Sequence, residues 1–481
     1  MAQSIGGIYN PHYIKLLPRY KTIRDCINDD VVTGDYTCLD EISLIGSVQY
    51  LVRTPGMSDE TYSALKQLGR FLNVTGSTLD MMMGAAWRVP PTVEMATATD
   101  YLNMNADGEG NSLLDLAKDA LADTMSMGRF GVLVEPEAQQ IDNDGMPIPR
   151  SKSDIAKGIG RTYAKPYAPE SIIDYDVSVV NGVKKLSFVK LEETVTTRNE
   201  TTHQTECETI YRFLILDDDG YKQKVFDGVE GSSQIGETIT VTDYNGKPLD
   251  HIPFFFSGSR NNDPTPDNPP FYKIADRNIA HYNNDANNRL NIILYATGTL
   301  FVTGDNPDLG KKNLTVGGGN GFYLGETGSA SLLQLDAGTA LPEAIKADLE
   351  DMVMLGAKIS NPSVQRTAEE ARISAGQETA LLSDVIGNVQ SMLREVINEI
   401  NMLMTGSEQE FTFSMGTQFF LETLTAQDRA QFMAEYMSGI IPFETLFNAY
   451  KRAGLIPHDE TIDEFKVKIE SDGMGQAGFG E

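Results

Sequence analysis

Apolar residues recur at helical spacing along most of this chain and alternate as in strands through one block near its middle. In SDETYSALKQLGRFLNVTGSTLDMMMG, Tyr62, Leu65, Leu68 and Leu72 share one helical face. Ser58 is placed to cap that helix, with Asp59 and Glu60 in its first turn. Residues 1–100 as a whole read as helices joined by polar turns. A second helix is expected over 111–127, with the stripe Leu114, Ala117, Leu121 and Met125, a stop at Gly128, and FGVLVEP following as a buried strand. From 130 to 256 the pattern turns to strands, as in KKLSFVKLEETV and ETIYRFLIL, separated by the turn-rich DNDG, DDDG and YNGK. HIPFFFSG closes that block, and RNNDPTPDNPP (260–270) marks a boundary.

Beyond the boundary the periods lengthen. Ala275, Ile279, Tyr282, Ala286, Leu290 and Ile293 form a nearly heptad seam, so 272–297 is one long helix. Its remaining surface carries Arg277, Asn278, His281, Asn284, Asp285, Asn287, Asn288 and Arg289, which read as solvated. Residues 299–338 are Gly-rich and short-stranded, a small β unit. A further helix is expected over 341–359 from Ile345, Leu349, Met352, Gly356 and Ile359, broken by Ser360-Asn361-Pro362. Thr367 and Glu370 form a capping box that starts the longest helix, 368–404, with the stripe Leu382, Val385, Val389, Met392, Val396, Ile400 and Leu403. Gly376 and Gly387 inside it mark a kink or a close contact. The rest, 405–481, reads as helical and acidic with a Gly-rich tail.

Length bounds this picture: 481 residues are too many for one simple core and suggest roughly two to four packing units in an α+β chain. The 39 basic and 68 acidic residues leave a net charge of −29. Such a surface repels nucleic acid and anionic membrane, which suits either a self-repelling soluble protein or a surface that DNA passes without sticking. Cys26, Cys38 and Cys207 are odd in number and sparse, which argues against a disulfide framework, for a reducing compartment, and against a structural zinc site. The start, MAQSIGGIYN, lacks the basic and apolar regions of a secretory signal, and no run of about 18 or more apolar residues predicts a membrane span. The single tryptophan, Trp87, reads as core packing or a helix end before Pro90.

A search for chemistry returns little. GDNPDLGKKN (304–313) comes nearest to a phosphate loop, but five residues separate Gly304 from Gly310, Lys312 replaces the Ser/Thr, and a β segment follows. GGGNG (317–321) reads as a turn. His12, His203, His251, His281 and His458 are scattered, with no pair at metal-ligand spacing, and His281 reads as solvated. DNDG and DDDG open like calcium loops without the closing Glu and fit hairpin turns better. No nucleophile–base–orienter set emerges, so no enzyme activity and no cofactor are expected. The basic features near the interesting segments are Lys311, Lys312, Arg366 and Arg372.

The order of elements is more specific than any motif. FYKIADRNIAHYNNDANNRLNIILYATGTLFVTG resembles a portal stem helix running into the clip. LEDMVMLGAKISNPSVQRTAEEARISAGQETALLSDVIGNVQSMLREVINEINML resembles the second stem helix, tunnel loop and long wing helix, and SGIIPFETLFNAYKRAGLIPHDETIDEFKVKIE resembles the terminal helices of portals. Over about 110–470 the chain thus resembles the portal proteins of tailed bacteriophages. The resemblance implies a portal-type α+β fold: wing at 1–262, stem helices at 271–298 and 341–359, clip at 299–340, tunnel loop at 360–367, long wing helix at 368–404, and crown and outer helices at 405–481. It implies a non-enzymatic homo-oligomer, generally a dodecamer, at the capsid portal vertex of the virion, assembled in the host cytoplasm. Implied partners are double-stranded DNA in the channel, the terminase large subunit, major capsid and scaffold proteins, and a head–tail adaptor, with no membrane. Asn361, Ser363, Gln365 and Arg366 are the DNA-channel candidates, and Lys311 and Lys312 the clip candidates. Competing expectations are another ring-forming virion protein, or an enzyme whose site the sequence does not advertise.

Overall fold

The architecture starts from capped helices. A computed structural model gives the structure, and it describes residues 9–31, 50–137, 160–180, 182–199, 201–228, 233–297, 299–304, 326–333, 338–356, 368–416, 426–457 and 460–471. In α1 (Pro11–Asn28) the Asn10 side chain accepts from the His12 amide at 2.9 Å, and Pro11 occupies a position whose amide would lack a partner anyway. Ser58 caps α2 (Asp59–Leu68) by accepting from the Thr61 amide, as expected. The helix expected to continue from there is interrupted. Gly69 leaves helical backbone, and the Asn73 side chain takes the Gly76 amide at 2.6 Å to start α3 (Val74–Ala86). Asn offers the backbone a bond that competes with helix continuation, and Leu72 falls in the break, half exposed. Trp87 closes α3, in line with the helix-end reading.

After the short strand β1 (Thr92–Glu94), α4 (Leu113–Met127) opens with a full Ser112–Asp115 capping box and ends at Gly128, whose φ of 74° only glycine adopts freely. Its buried face is Leu113, Leu116, Ala117, Ala120 and Leu121; Leu114, expected on the stripe, is half-buried. The chain then enters β2 (Arg129–Pro136), the centre of a three-stranded antiparallel sheet between β3 (Thr162–Tyr167) and β9 (Phe254–Gly258). Between β3 and β9 lies an antiparallel meander of β4 (Ile172–Val180), β5 (Val183–Arg198), β6 (Thr205–Asp217), β7 (Gly220–Asp227) and β8 (Gln234–Thr240), paired in chain order. DDDG is the β6–β7 hairpin turn, with Asp217 opposite Gly220, whereas DNDG lies outside the described residues. Cys26 is a buried free thiol, but Cys207 in β6 is disulfide-bonded, so the expectation of a chain without such bonds fails there.

The second half is α5 (Tyr272–Thr297), the antiparallel pair β10 (Thr299–Thr303) and β11 (Ser329–Leu333), α6 (Ala340–Met354) and the 38-residue α7 (Ala368–Thr405). The expected end of α6 at 359 is corrected to Met354, because Gly356 takes the left-handed backbone (φ 97°) just beyond it. Thr367 of the expected capping box lies outside the described residues. All seven expected stripe positions of α7 are buried. Gly387 is no close contact: a side chain there would meet open space. The tail is not purely helical. β12 (Thr412–Ser414) pairs antiparallel with β1 before α8 (Ala426–Met437), α9 (Phe443–Arg452) and α10 (Ile462–Ser471).

One large core joins α1, α4, β2, β9 and α7. Val385, Val389, Met392, Val396 and Ile397 are fully buried, each stabilising the fold by about 1.5–3 kcal/mol relative to exposure. Gly131 in β2 shows how close the packing is, since a Cβ there would overlap the Phe254 ring and press on Ile172 Cδ1. Gly131→Ala is expected to destabilise the protein by about 1–3 kcal/mol, read as a shifted denaturant midpoint. The segment before β9 is tied to α7 by His251, whose Nδ1 lies 3.0 Å from Asp250 and Nε2 3.1 Å from Glu399. The Glu399 bond, seconded by Asp250, raises the imidazole to about 9. A raised folded-state value means the bridge stabilises fully below the ordinary value of about 6.5. That contribution is lost as pH rises through about 9. The stability gap between the native protein and Glu399→Gln should therefore narrow across that window in denaturation curves; a constant gap would rule out the ionic bridge.

Candidate functional site

Helix α5 carries six asparagines (278, 283, 284, 287, 288 and 291), residues that favour caps and turns over helix interiors. The structure shows what several of them do. Asn278 is fully buried, although its position reads as surface from the sequence. Its Oδ1 accepts from the Val74 and Thr75 amides, both at 3.1 Å, and from the Thr75 hydroxyl at 3.0 Å. Its Nδ2 donates to the Leu72 carbonyl at 2.8 Å. One side chain thus satisfies the orphan amides that open α3 and fastens α5 to it. Asn283 does the same to the chain at 50–52, donating to Tyr50 O and accepting from the Val52 amide, both at 2.9 Å.

The opposite flank of α5 meets α6. Asn284 donates to Asp348 at 2.8 Å, and Arg277 pairs with Asp351 at 3.4 Å. Met352 of α6 fills a small separate core with Val74 and Ile274. His281, expected to be solvated, is only 6% exposed. It lies on the turn that the seam and the Asn278 contact share, so helix geometry carries it inside. Burial pushes its pKa down against the opposing pull of Asp285 and Asp348, which keeps the ring neutral near pH 7. Its Nδ1 has no hydrogen-bond partner. Of the expected seam, Ala275, Tyr282, Ala286 and Leu290 are buried, whereas Ile293 at the far end is exposed, as are Ile292 and Phe301 of β10.

The sequence-derived site candidates Lys311, Lys312, Asn361, Ser363, Gln365 and Arg366 all lie outside the described residues, as do most of the phosphate-loop-like segment and GGGNG. Sequence reasoning missed Asn278, Asn283 and the buried pair His281–Asp348. The available signal was the density of asparagine in a helix, a composition that demands side-chain partners. Among the described residues no group of three or more His, Cys, Asp or Glu could hold a metal ion. No described helix is long and apolar enough to cross a membrane. A shallow cleft between β2 and β8, lined by Glu135, Glu137, Tyr163 and Gln223, offers no free acid–base pair, because Arg212 takes Glu135 at 3.0 Å. The contacts of this region fasten α5 to α3 and to the chain at 50–52, and α6 to α5.

Asn278→Ala is expected to cost about 2 kcal/mol, because two buried amides, a hydroxyl and a carbonyl lose their partner. Asn278→Asp, which keeps the acceptor but sets a buried carboxylate oxygen against the Leu72 carbonyl, should cost at least as much. A loss under about 0.5 kcal/mol for the alanine variant in urea denaturation would show that α5 is anchored elsewhere.

A search of curated proteins finds no match for this chain. Residues 270–403, which run from just before α5 almost to the end of α7, match the family model described as a domain of unknown function, DUF4055, a domain typically found in phage proteins.

Proposed function

We propose that the chain is the portal subunit of a tailed bacteriophage, a non-enzymatic protein whose ring at one capsid vertex passes DNA during packaging and ejection. The observation that carries this reading is the order α5, β10–β11, α6, α7 mounted on a helical and β body. That order coincides with the segment matching a domain found in phage proteins. In this reading residues 1–262 are wing, α5 and α6 are the stem, 299–340 is the clip, 360–367 is the tunnel loop, α7 returns through the wing, and 405–481 is crown.

Physical chemistry supports it. An isolated two-stranded ribbon is marginal in water, and Phe301 is exposed while β10 and β11, among the described residues, pair only with each other. Neighbouring copies in a ring would pair or cover outer strand edges. A net charge of −29 per subunit keeps the phosphate backbone from adhering, so DNA slides. Terminase, then head–tail adaptor proteins, dock on this platform, and scaffold and major capsid proteins surround it. Asn361, Ser363, Gln365 and Arg366 in the tunnel loop, with Lys311 and Lys312 in the clip, are the proposed points of DNA contact.

Negative-stain microscopy of the purified chain tests the class. Rings with a central hole, generally of twelve subunits, are expected; a monodisperse monomer at every salt concentration would remove the reading. Arg366→Glu tests one contact: DNA packaged or retained per head should fall, and wild-type DNA content would strike Arg366 from the candidates.

A further inference from the structure

Three arginines tie together the body of this protein, and two of them are filled in the same way. The fork formed by Nε and Nη2 of Arg24 takes both oxygens of Glu170, each at 2.9 Å. The same fork of Arg212 takes both oxygens of Glu193, at 2.6 and 3.1 Å. Arg129, the first residue of β2, is 3% exposed and differs. Its Nη1 donates to the Pro264 carbonyl at 2.6 Å. Its Cζ lies over the rings of Phe256 at 4.5 Å and Tyr175 at 5.0 Å. Its Nε and Nη2 have no partner, and neither does the hydroxyl of fully buried Tyr20.

Tyr20 stands first among the groups that act electrostatically on Arg129, and Arg129 first among those that act on Tyr20. Arg129 and Tyr20 thus bring three unpartnered buried donors within each other's electrostatic reach. A buried unpaired donor costs about 1–3 kcal/mol, and an unpaired charge more. A water molecule would accept two of these bonds but bring two hydrogens of its own that need acceptors. An acceptor without hydrogens fits better, and the parallel N–H pair of a guanidinium is the geometry that binds anions. Two carboxylates act on Arg129 from nearby without bonding it: Asp267 uses Oδ2 for Ser259 and the Arg260 amide, and Asp263 uses Oδ1 for the Thr265 amide. They temper the positive field, which favours a single negative charge over a phosphate.

We propose that the Nε/Nη2 fork of Arg129 and the Tyr20 hydroxyl bind a small monovalent anion, a halide or a free carboxylate. The anion ties α1, the start of β2 and the 259–270 segment that leads into α5. It is a buried structural ligand, independent of the portal reading.

Crystals of the full chain soaked in sodium bromide test it directly. One anomalous peak within hydrogen-bond distance of Arg129 Nε, Arg129 Nη2 and Tyr20 Oη is expected, and growth in acetate without halide should replace it with carboxylate density. A lone water in the fork, or Asp267 turned into it, overturns the proposal. In solution, replacing sodium gluconate with chloride at equal ionic strength should raise the Tm of the native protein. Tyr20→Phe, which leaves Arg129 and its Pro264 bond intact, should weaken the apparent chloride affinity about tenfold. Arg129→Met should lose the chloride-specific increment; should that variant not fold, Tyr20→Phe decides alone. Equal chloride increments in the native and Tyr20→Phe proteins overturn the proposal.

Discussion

The fold depends on one constraint, that a 38-residue helix must hide a continuous apolar stripe. Between Leu382 and Leu403 the stripe of α7 is covered by α4 on one side and the β3–β2–β9 sheet on the other. Both α7 and α4 pack on β2, which is buried through most of its length on residues that an exposed sheet would alternate. Polar bonds along the flanks fix the helix once the stripe has chosen its place. Asn388 donates to Gly258 O at the end of β9 and its own carbonyl accepts from Asn262, both at 2.9 Å. Arg394 donates to Phe413 O, and the Met415 amide donates to Gln390. The return strand β12 is thereby held where β1 can pair with it. Apolar area supplies most of the stabilisation, and the hydrogen bonds set direction and register.

Helix α5 solves a different problem. Its inner face is too polar to be held by burial alone, so specificity comes from amides. Asn278 and Asn283 meet backbone groups that would otherwise be orphaned, and each can donate and accept at once. A helix anchored in this manner resists sliding, because a shift by one residue would strand several buried polar groups, whereas an apolar seam tolerates repacking. The Asn284–Asp348 bond extends the same logic to α6.

Much of this was legible in the sequence where one local rule governs. The span of α5, the buried positions of α7, the Ser58 cap and the Gly128 stop follow from period and cap chemistry. The failures occur where a distant partner decides. Residues 58–84 hold one helical period, yet Asn73 breaks it, because its side chain finds the Gly76 amide and the Ile27 carbonyl. His281 lies on the polar side of α5 by composition, but that side faces α6 and α3 rather than water. The pairing of Glu94 with Thr412 joins three-residue strands from opposite ends of the chain, which no local pattern announces. Arg129 carries no sequence signal before its apolar strand, and only the fold brings the Phe256 and Tyr175 rings over it. The sequence-derived contact residues in 305–325 and 357–367 fall outside the described residues, so the site reading rests on the elements that flank them.

Self-sufficiency also declines along the arm. At its root, Ala275, Asn278 and Tyr282 are dry and every polar group of Asn278 is bonded. His281, on the same turn, keeps one unpartnered nitrogen, and Ala286 and Leu290 beyond it are still buried. At the tip, Ile292, Ile293 and Phe301 are exposed, and among the described residues β10 and β11 pair only with each other. Two short strands bury too little to hold their own shape in water, while the root is fixed by the body. A structure finished at one end and incomplete at the other is stable as a chain yet leaves apolar groups and strand edges to be satisfied from outside. The contrast is therefore positional: polar and apolar contacts to the body concentrate at the root of α5, while the exposed apolar groups lie at its far end and in β10.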